Sequence, residues 1–241
     1  VLALEPAEHA PLLRGLGLLQ RDGSMAAQLV RKFMQVNHLL VLLEPPLLDL
    51  ARSGSANAPP TVRVLDVGCG SSYLTLLLGW AFAHKWRHPC EILGVDTREV
   101  VVAKSRDKAE RMGLAELVRF AQWHAAPGRA AELGALWGAA FGGIATPDAV
   151  FALHACDTAT DAALALAVRL HAPFVAVAPC CHAELAQQWS LSPPVGLGAL
   201  GATPHLRREA AATCTDALRL SALRAVGYDA QAIEFVSSTH T

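Results

Sequence analysis

Two short stretches concentrate the residues able to do chemistry. HACDTATD, residues 154–161, sets His154, Cys156, Asp157 and Asp161 directly after the apolar run Phe151-Ala152-Leu153. PCCH, residues 179–182, sets Cys180, Cys181 and His182 directly after the apolar run 174–178. An imidazole or a carboxylate can take a proton from an acceptor, and an activated thiolate can add to an electrophilic carbon. Thiolates with a histidine can also hold zinc, but adjacent Cys180-Cys181 is poor spacing beside the usual C-x-x-C, so no metal is expected. The plain alternative is that these thiols fill core space, since free cysteine is among the most buried residue types.

A third stretch, LDVGCGSSYL at 65–74, places Asp66, Gly68, Cys69 and Gly70 at the end of an apolar run. Glycines at such a turn let the backbone bend tightly and let a ligand approach without a Cβ in the way. A dinucleotide fingerprint needs a third glycine, which Ser71-Ser72-Tyr73 does not supply. A second acid, Asp96, closes the next apolar run, EILGVD at 91–96, and an acid there can accept both hydroxyls of a ribose. Asp66 beside the glycines disfavours a phosphate and suits an ammonium.

Positioning these residues requires strands that end at one edge. The apolar runs 62–68, 91–96, 117–122, 148–155, 174–179 and 232–236 read as six strands, with helices over 71–84, 100–113, 160–170 and 208–226 between them. Short apolar strands alternating with helices imply an α/β fold with a mostly parallel sheet covered on both faces, here Rossmann-like. Before residue 59 the pattern is helical. Ser24 is the expected N-cap of a helix over 23–43, Pro45-Pro46 should break it, and a second short helix should reach Arg52. SGSANAPP at 53–60 has linker composition. The expected organisation is an N-terminal helical cap, residues 1–58, followed by one domain over 59–241. Lys32, Gln35 and Asn37 on the cap helix are candidates for a lid that touches substrate, against the alternative of a solvated helix face.

The whole chain narrows the function classes. It is 53% hydrophobic and 17% charged over 241 residues, enough for a sizeable core. Twenty basic residues face 21 acidic ones, so there is no general electrostatic footprint for nucleic acid. No apolar run reaches the roughly 18 residues that span a bilayer, so no membrane partner is expected. Six scattered cysteines without framework spacing suit a reducing, cytoplasmic setting. The chain does not begin with methionine and stops soon after a strand-like run, so residues are expected to be missing at the termini or internally.

From Thr61 to Val236 the pattern resembles the class I S-adenosylmethionine-dependent methyltransferases. That resemblance implies S-adenosylmethionine as cofactor. It implies Asp66, Gly68, Cys69 and Gly70 as the first motif, Asp96 with Thr97 as the ribose site, Gln122 and Trp123 on the adenine side, and His154 beside the cofactor. KFMQVNH at 32–38, HACDTATD, APCCH and EFVSSTHT together resemble a methyltransferase-like family with bacterial and eukaryotic members. HACDTATD and PCCH are also locally similar to tRNA 2′-O-methyltransferases, which carry a cysteine-alanine-threonine-aspartate run and a CCHH run. Here Ala183 stands in place of the second histidine. The N/D-P-P-Y/F motif of amino-group methyltransferases is absent after the fourth strand.

The expected function is therefore methyl transfer to an acceptor, with RNA (tRNA or rRNA, hydroxyl or base) favoured. His154, Cys156, Asp157, Cys180, Cys181 and His182 are the candidate catalytic residues. His154, His182 or Asp157 could act as base towards a hydroxyl, or Cys156 or Cys180 could add to a pyrimidine ring. A protein or small-molecule acceptor is the enzymatic alternative, and a non-catalytic binding subunit the alternative of another class.

Overall fold

The computed structural model describes residues 2–53, 60–153, 155, 157–179 and 182–233. Five strands form one sheet: β1 (Val62–Val67), β2 (Cys90–Asp96), β3 (Val118–Gln122), β4 (Ala149–Leu153) and β5 (Phe174–Ala178). Their order is β3-β2-β1-β4-β5, and every pairing is parallel. The order reverses between β1 and β4, so the crevice that parallel α/β sheets use for ligands lies at the carboxyl ends of those two strands.

Each strand alternates its side chains between two cores. Val62 and Val64 of β1 join the core on one face, and Leu65 and Val67 join the core on the other. The first core is covered by α2 (Ala27–Arg52), α3 (Tyr73–Trp80) and α4 (Glu99–Arg111). The second is covered by α5 (Ala130–Phe141) and α6 (Thr158–Arg169), with Trp137 fully buried and its indole N–H donating to Glu91 at 2.6 Å. A short helix α1 (Ala10–Gly15) precedes α2, and α7 (Glu184–Leu191), α8 (Gly198–Ala202) and α9 (Pro204–Ala225) follow β5. No helix among the described residues is long and apolar enough to cross a membrane.

The N-terminal segment shares the first core: Leu4, Leu12, Phe33, Leu40 and Leu47 pack in the same cluster as Val64 and Leu77. The structure corrects two expectations there. Ser24 is not the cap of α2, which begins at Ala27 after Ala26; both the Ser24 N–H and O–H donate to Asp22 instead. Pro45 and Pro46 do not break α2, which runs unbroken for 26 residues. They withhold donors from the carbonyls of Val41 and Leu42. The buried stripe Leu43, Leu47 and Ala51 nevertheless continues past them and keeps the helix on the sheet. The helix after β1 also changes pitch, to π-helical turns over Ala81–Trp86. Of the expected sixth strand, Ala232 and Ile233 are not in a strand and 234–236 lie outside the described residues.

Candidate functional site

The turn after β1 is stitched to β2. The amides of Gly68 and Cys69 both donate to the Val95 carbonyl, at 2.8 and 2.9 Å. The Gly70 amide donates to Asp96 Oδ2 at 3.1 Å. Gly68 and Gly70 have φ of 70° and 52°, a region side-chain-bearing residues rarely enter. A Cβ on either would find nothing closer than 3.8 Å, so the space in front of the turn is open to a ligand.

Two carboxylates flank this space with opposite tuning. Asp66 is 2% exposed, and its Oδ2 accepts the Thr75 hydroxyl at 2.6 Å. Burial pushes its pKa up to about 6; the Asp96 charge adds to the rise and the Thr75 hydrogen bond opposes it. Burial also works against ionised Asp96, but hydrogen bonds from Arg98 and Gly70 outweigh it and hold this carboxyl below its usual range. Arg98 grips Asp96 with its backbone N–H at 3.0 Å and its Nε at 3.1 Å. Cys69 lines the same space, and burial raises its thiol far above the ordinary value, which keeps it protonated and unreactive.

The cleft so formed measures about 240 Å³, with Lys32, Gln35, Asp66, Gly70, Tyr73 and Arg98 among its walls. Lys32 lies over the Tyr73 ring at 4.7 Å, and burial pulls its ammonium below the ordinary pKa. Lys108 approaches the same ring at 5.9 Å and donates to the Ser71 carbonyl at 3.0 Å. Lys32 and Gln35 therefore reach the cleft. Asn37 does not: its Oδ1 accepts the Leu4 N–H at 2.7 Å, and its amide donates to the Phe33 carbonyl.

On the other rim, Gln122 is exposed and donates to the Thr97 carbonyl at 2.9 Å, tying the ends of β2 and β3 together. Trp123 is 5% exposed within the second core, and its indole N–H donates to Glu132 at 3.2 Å. Thr97, Gln122 and Trp123 are not among the residues that wall the cleft.

Of the two strand-end motifs, His154, Cys156, Cys180 and Cys181 lie outside the described residues. The described residues of the first motif reach the cleft and the start of α7. Leu153 lines the cleft, and the Ala155 Cβ lies 4.0 Å from where a Gly68 Cβ would stand. Asp157 adopts φ 55° and ψ −127°, a strained conformation for a residue with a side chain. Two contacts hold it there. Both of its carboxylate oxygens accept the Glu184 N–H that opens α7, at 3.1 and 2.9 Å, and its carbonyl accepts from Arg219 at 2.8 Å. The carboxylate of Asp157 is thus engaged as the cap of α7. His182 Nε2 sits 2.8 Å from Asp216 Oδ1.

Arg219 does more than its sequence spacing implies. Its spacing from Asp216 reads as an ordinary helix ion pair, and that pair exists at 3.3 Å. Its main partner is Asp161 of the HACDTATD motif, held bidentately at 2.7 and 3.1 Å, and the guanidinium is 8% exposed. Asp157, Asp161, Glu184, Thr215 and Arg219 line a second opening of about 360 Å³. Among the described residues, no group of three or more His, Cys, Asp or Glu side chains is placed to hold a metal ion.

No curated protein matches the sequence. Among solved structures, the chain is similar to a SAM-dependent methyltransferase from Thiobacillus denitrificans in complex with S-adenosyl-L-homocysteine. The identity is 19% and the TM-score 0.35, over 57% of this chain and 46% of that one. Cofactor-bound Rv0187 from MTB gives 20% identity and a TM-score of 0.40, over 69% and 61%. A SAM-dependent methyltransferase from Geobacter sulfurreducens, also in complex with S-adenosyl-L-homocysteine, gives 16% and 0.38, over 78% and 72%. The chain thus spans 46% of the length of the first of these structures. The family described as "Methyltransferase domain" matches residues 31–188, from within α2 into α7, and the chain belongs to that family.

Proposed function

We propose that the protein is an S-adenosylmethionine-dependent methyltransferase whose acceptor is an RNA hydroxyl. The observation that carries the cofactor reading is the Gly70–Asp96 hydrogen bond, which closes a glycine turn on a carboxylate beside open space. The donor set fits a nucleoside without phosphates. Asp96 would accept ribose hydroxyls, with Arg98 sharing or yielding the carboxylate, and Asp66 would face the ammonium of the amino-acid portion. When bound, the cofactor supplies a methyl group activated by a sulfonium and departs as the neutral thioether.

The chain's own residues supply the rest. Lys32 and Gln35 line the cleft from α2, and Leu153 lines it from the end of β4. For the acceptor, support comes from the HACDTATD and PCCH motifs and from the ammonium groups of Lys32 and Lys108 beside the Tyr73 ring, which suit a phosphate backbone. The test is label transfer from methyl-tritiated cofactor into fractionated RNA, protein and metabolite pools. Counts in RNA that survive protease and disappear with ribonuclease are expected. Counts confined to protein or small molecules would replace the RNA acceptor, and no heat with S-adenosylhomocysteine in calorimetry would remove the cofactor reading.

A further inference from the structure

We propose that Asp216 is the positioning residue of a His182 general base, with Arg219 fixing both to the β4 motif. The inference rests on the methyltransferase reading above and adds which residue handles the acceptor's proton and what orients it. His182 stands four positions beyond the end of β5, at the same carboxyl edge as the Gly68 turn. An ionised carboxylate can only accept, so the 2.8 Å contact makes Nε2 the protonated nitrogen and leaves the Nδ1 lone pair as the basic site. Nδ1 has no hydrogen-bond partner among the described residues.

The arrangement behind Asp216 is built for fixed geometry. Asp216 and Arg219 share one face of α9, one turn apart. Arg219 touches Asp216 Oδ1 at 3.3 Å, clasps Asp161 with two hydrogen bonds, and donates to the Asp157 carbonyl. One buried guanidinium therefore links three carboxylate-bearing residues, two from the β4 motif and one from α9, and sets the angle from which Asp216 addresses His182. As a stabilising device the His182–Asp216 pair is weak. Asp216 is 49% exposed, and solvent screens exposed ion pairs. Orientation is what the geometry provides.

In the reaction, the acceptor O–H bond breaks, its proton goes to Nδ1, and the electron pair left on oxygen forms the bond to the incoming methyl carbon. The pair of the broken carbon–sulfur bond stays on sulfur. His182 becomes an imidazolium facing Asp216, and a positioned base of this kind contributes roughly 10²–10⁴-fold.

The experiment uses the full chain labelled with ¹⁵N-histidine. A resolved downfield N–H proton coupled to Nε2 of His182 is expected in the wild type, assigned by its absence in His182→Gln. It should vanish in Asp216→Ala and return in Asp216→Glu. Calorimetry runs alongside, and S-adenosylhomocysteine affinity should change less than twofold in Asp216→Ala. On the acceptor found by label transfer, kcat should fall by 10-fold or more with the cofactor KM unchanged. A His182 proton that resides on Nδ1, or one indifferent to Asp216→Ala, overturns the proposal, and the wild-type spectrum decides the first point even if the variant fails to fold. Loss of cofactor binding by the wild type would sink the underlying reading instead, and the two failures are read by different instruments.

Discussion

The Gly70 amide and the Asp96 carboxylate, 26 residues apart, meet at 3.1 Å. Through this contact the turn after β1 and the acid after β2 form one unit. The carboxylate orders the turn, and the turn's N–H helps keep the carboxylate ionised. Asp96→Asn keeps the volume but loses the charge and one acceptor. We expect S-adenosylhomocysteine affinity to fall by roughly 10-fold or more, the loss of a charged hydrogen bond being worth about 1.5–3 kcal/mol. Titration calorimetry at fixed salt measures it; equal affinity in the two proteins would place the ribose elsewhere.

Asp66 gives the site a pH dependence of definite sign. Burial raises its pKa from the ordinary 3.8 to about 6. In stability, a raised folded-state pKa favours the protonated form. The contribution is fully present below pH 4, is lost as the pH rises to 6, and is on the order of 3 kcal/mol. In binding, the ligand ammonium favours the ionised form, so affinity should rise between pH 5 and 7 and level above that. Asp66→Asn should flatten both profiles. Calorimetry and urea denaturation across that range provide the two measurements.

Which features were legible in the sequence follows from how local their causes are. β1 through β5 showed as apolar runs because both faces of a parallel sheet are covered, and the glycine turn and Asp96 showed because they sit at strand ends. Helix α5 did not show: AAELGALWGAAF is alanine- and glycine-rich, and only Leu133 and Trp137 are buried. The expected break at Pro45-Pro46 followed local propensity, which packing at Leu43 and Leu47 overrode. The Arg219–Asp161 clasp joins residues 58 apart, and nothing in either local pattern encodes that distance.

Gly94 on β2 tests how closely the sheet supports the site. A Cβ there would lie 2.6 Å from the Phe120 ring and 3.1 Å from the Thr75 Cγ2. Thr75 is the residue that donates to Asp66, so Gly94→Ala pushes on both the core and the acid's partner. Overpacking of this kind costs about 1–3 kcal/mol. We expect a lower melting temperature together with weaker S-adenosylhomocysteine binding. Destabilisation with unaltered binding would show that Phe120 alone takes up the strain.

Asn37 separates a structural role from a ligand role on the same helix. It is 3% exposed, and its side chain answers the Leu4 N–H and the Phe33 carbonyl. Asn37→Ala leaves the Leu4 N–H without its acceptor among buried leucines, a loss of about 1–3 kcal/mol. Urea denaturation should register that loss, while affinity for S-adenosylhomocysteine stays within twofold. Lys32→Ala, one and a half turns earlier and facing the cleft, should do the reverse: stability is nearly kept, because the lysine is only half-buried, and binding falls. If Asn37→Ala lost ligand affinity as strongly as Lys32→Ala, the Leu4 segment would have to be part of the lid, since removing its anchor would then open the cleft.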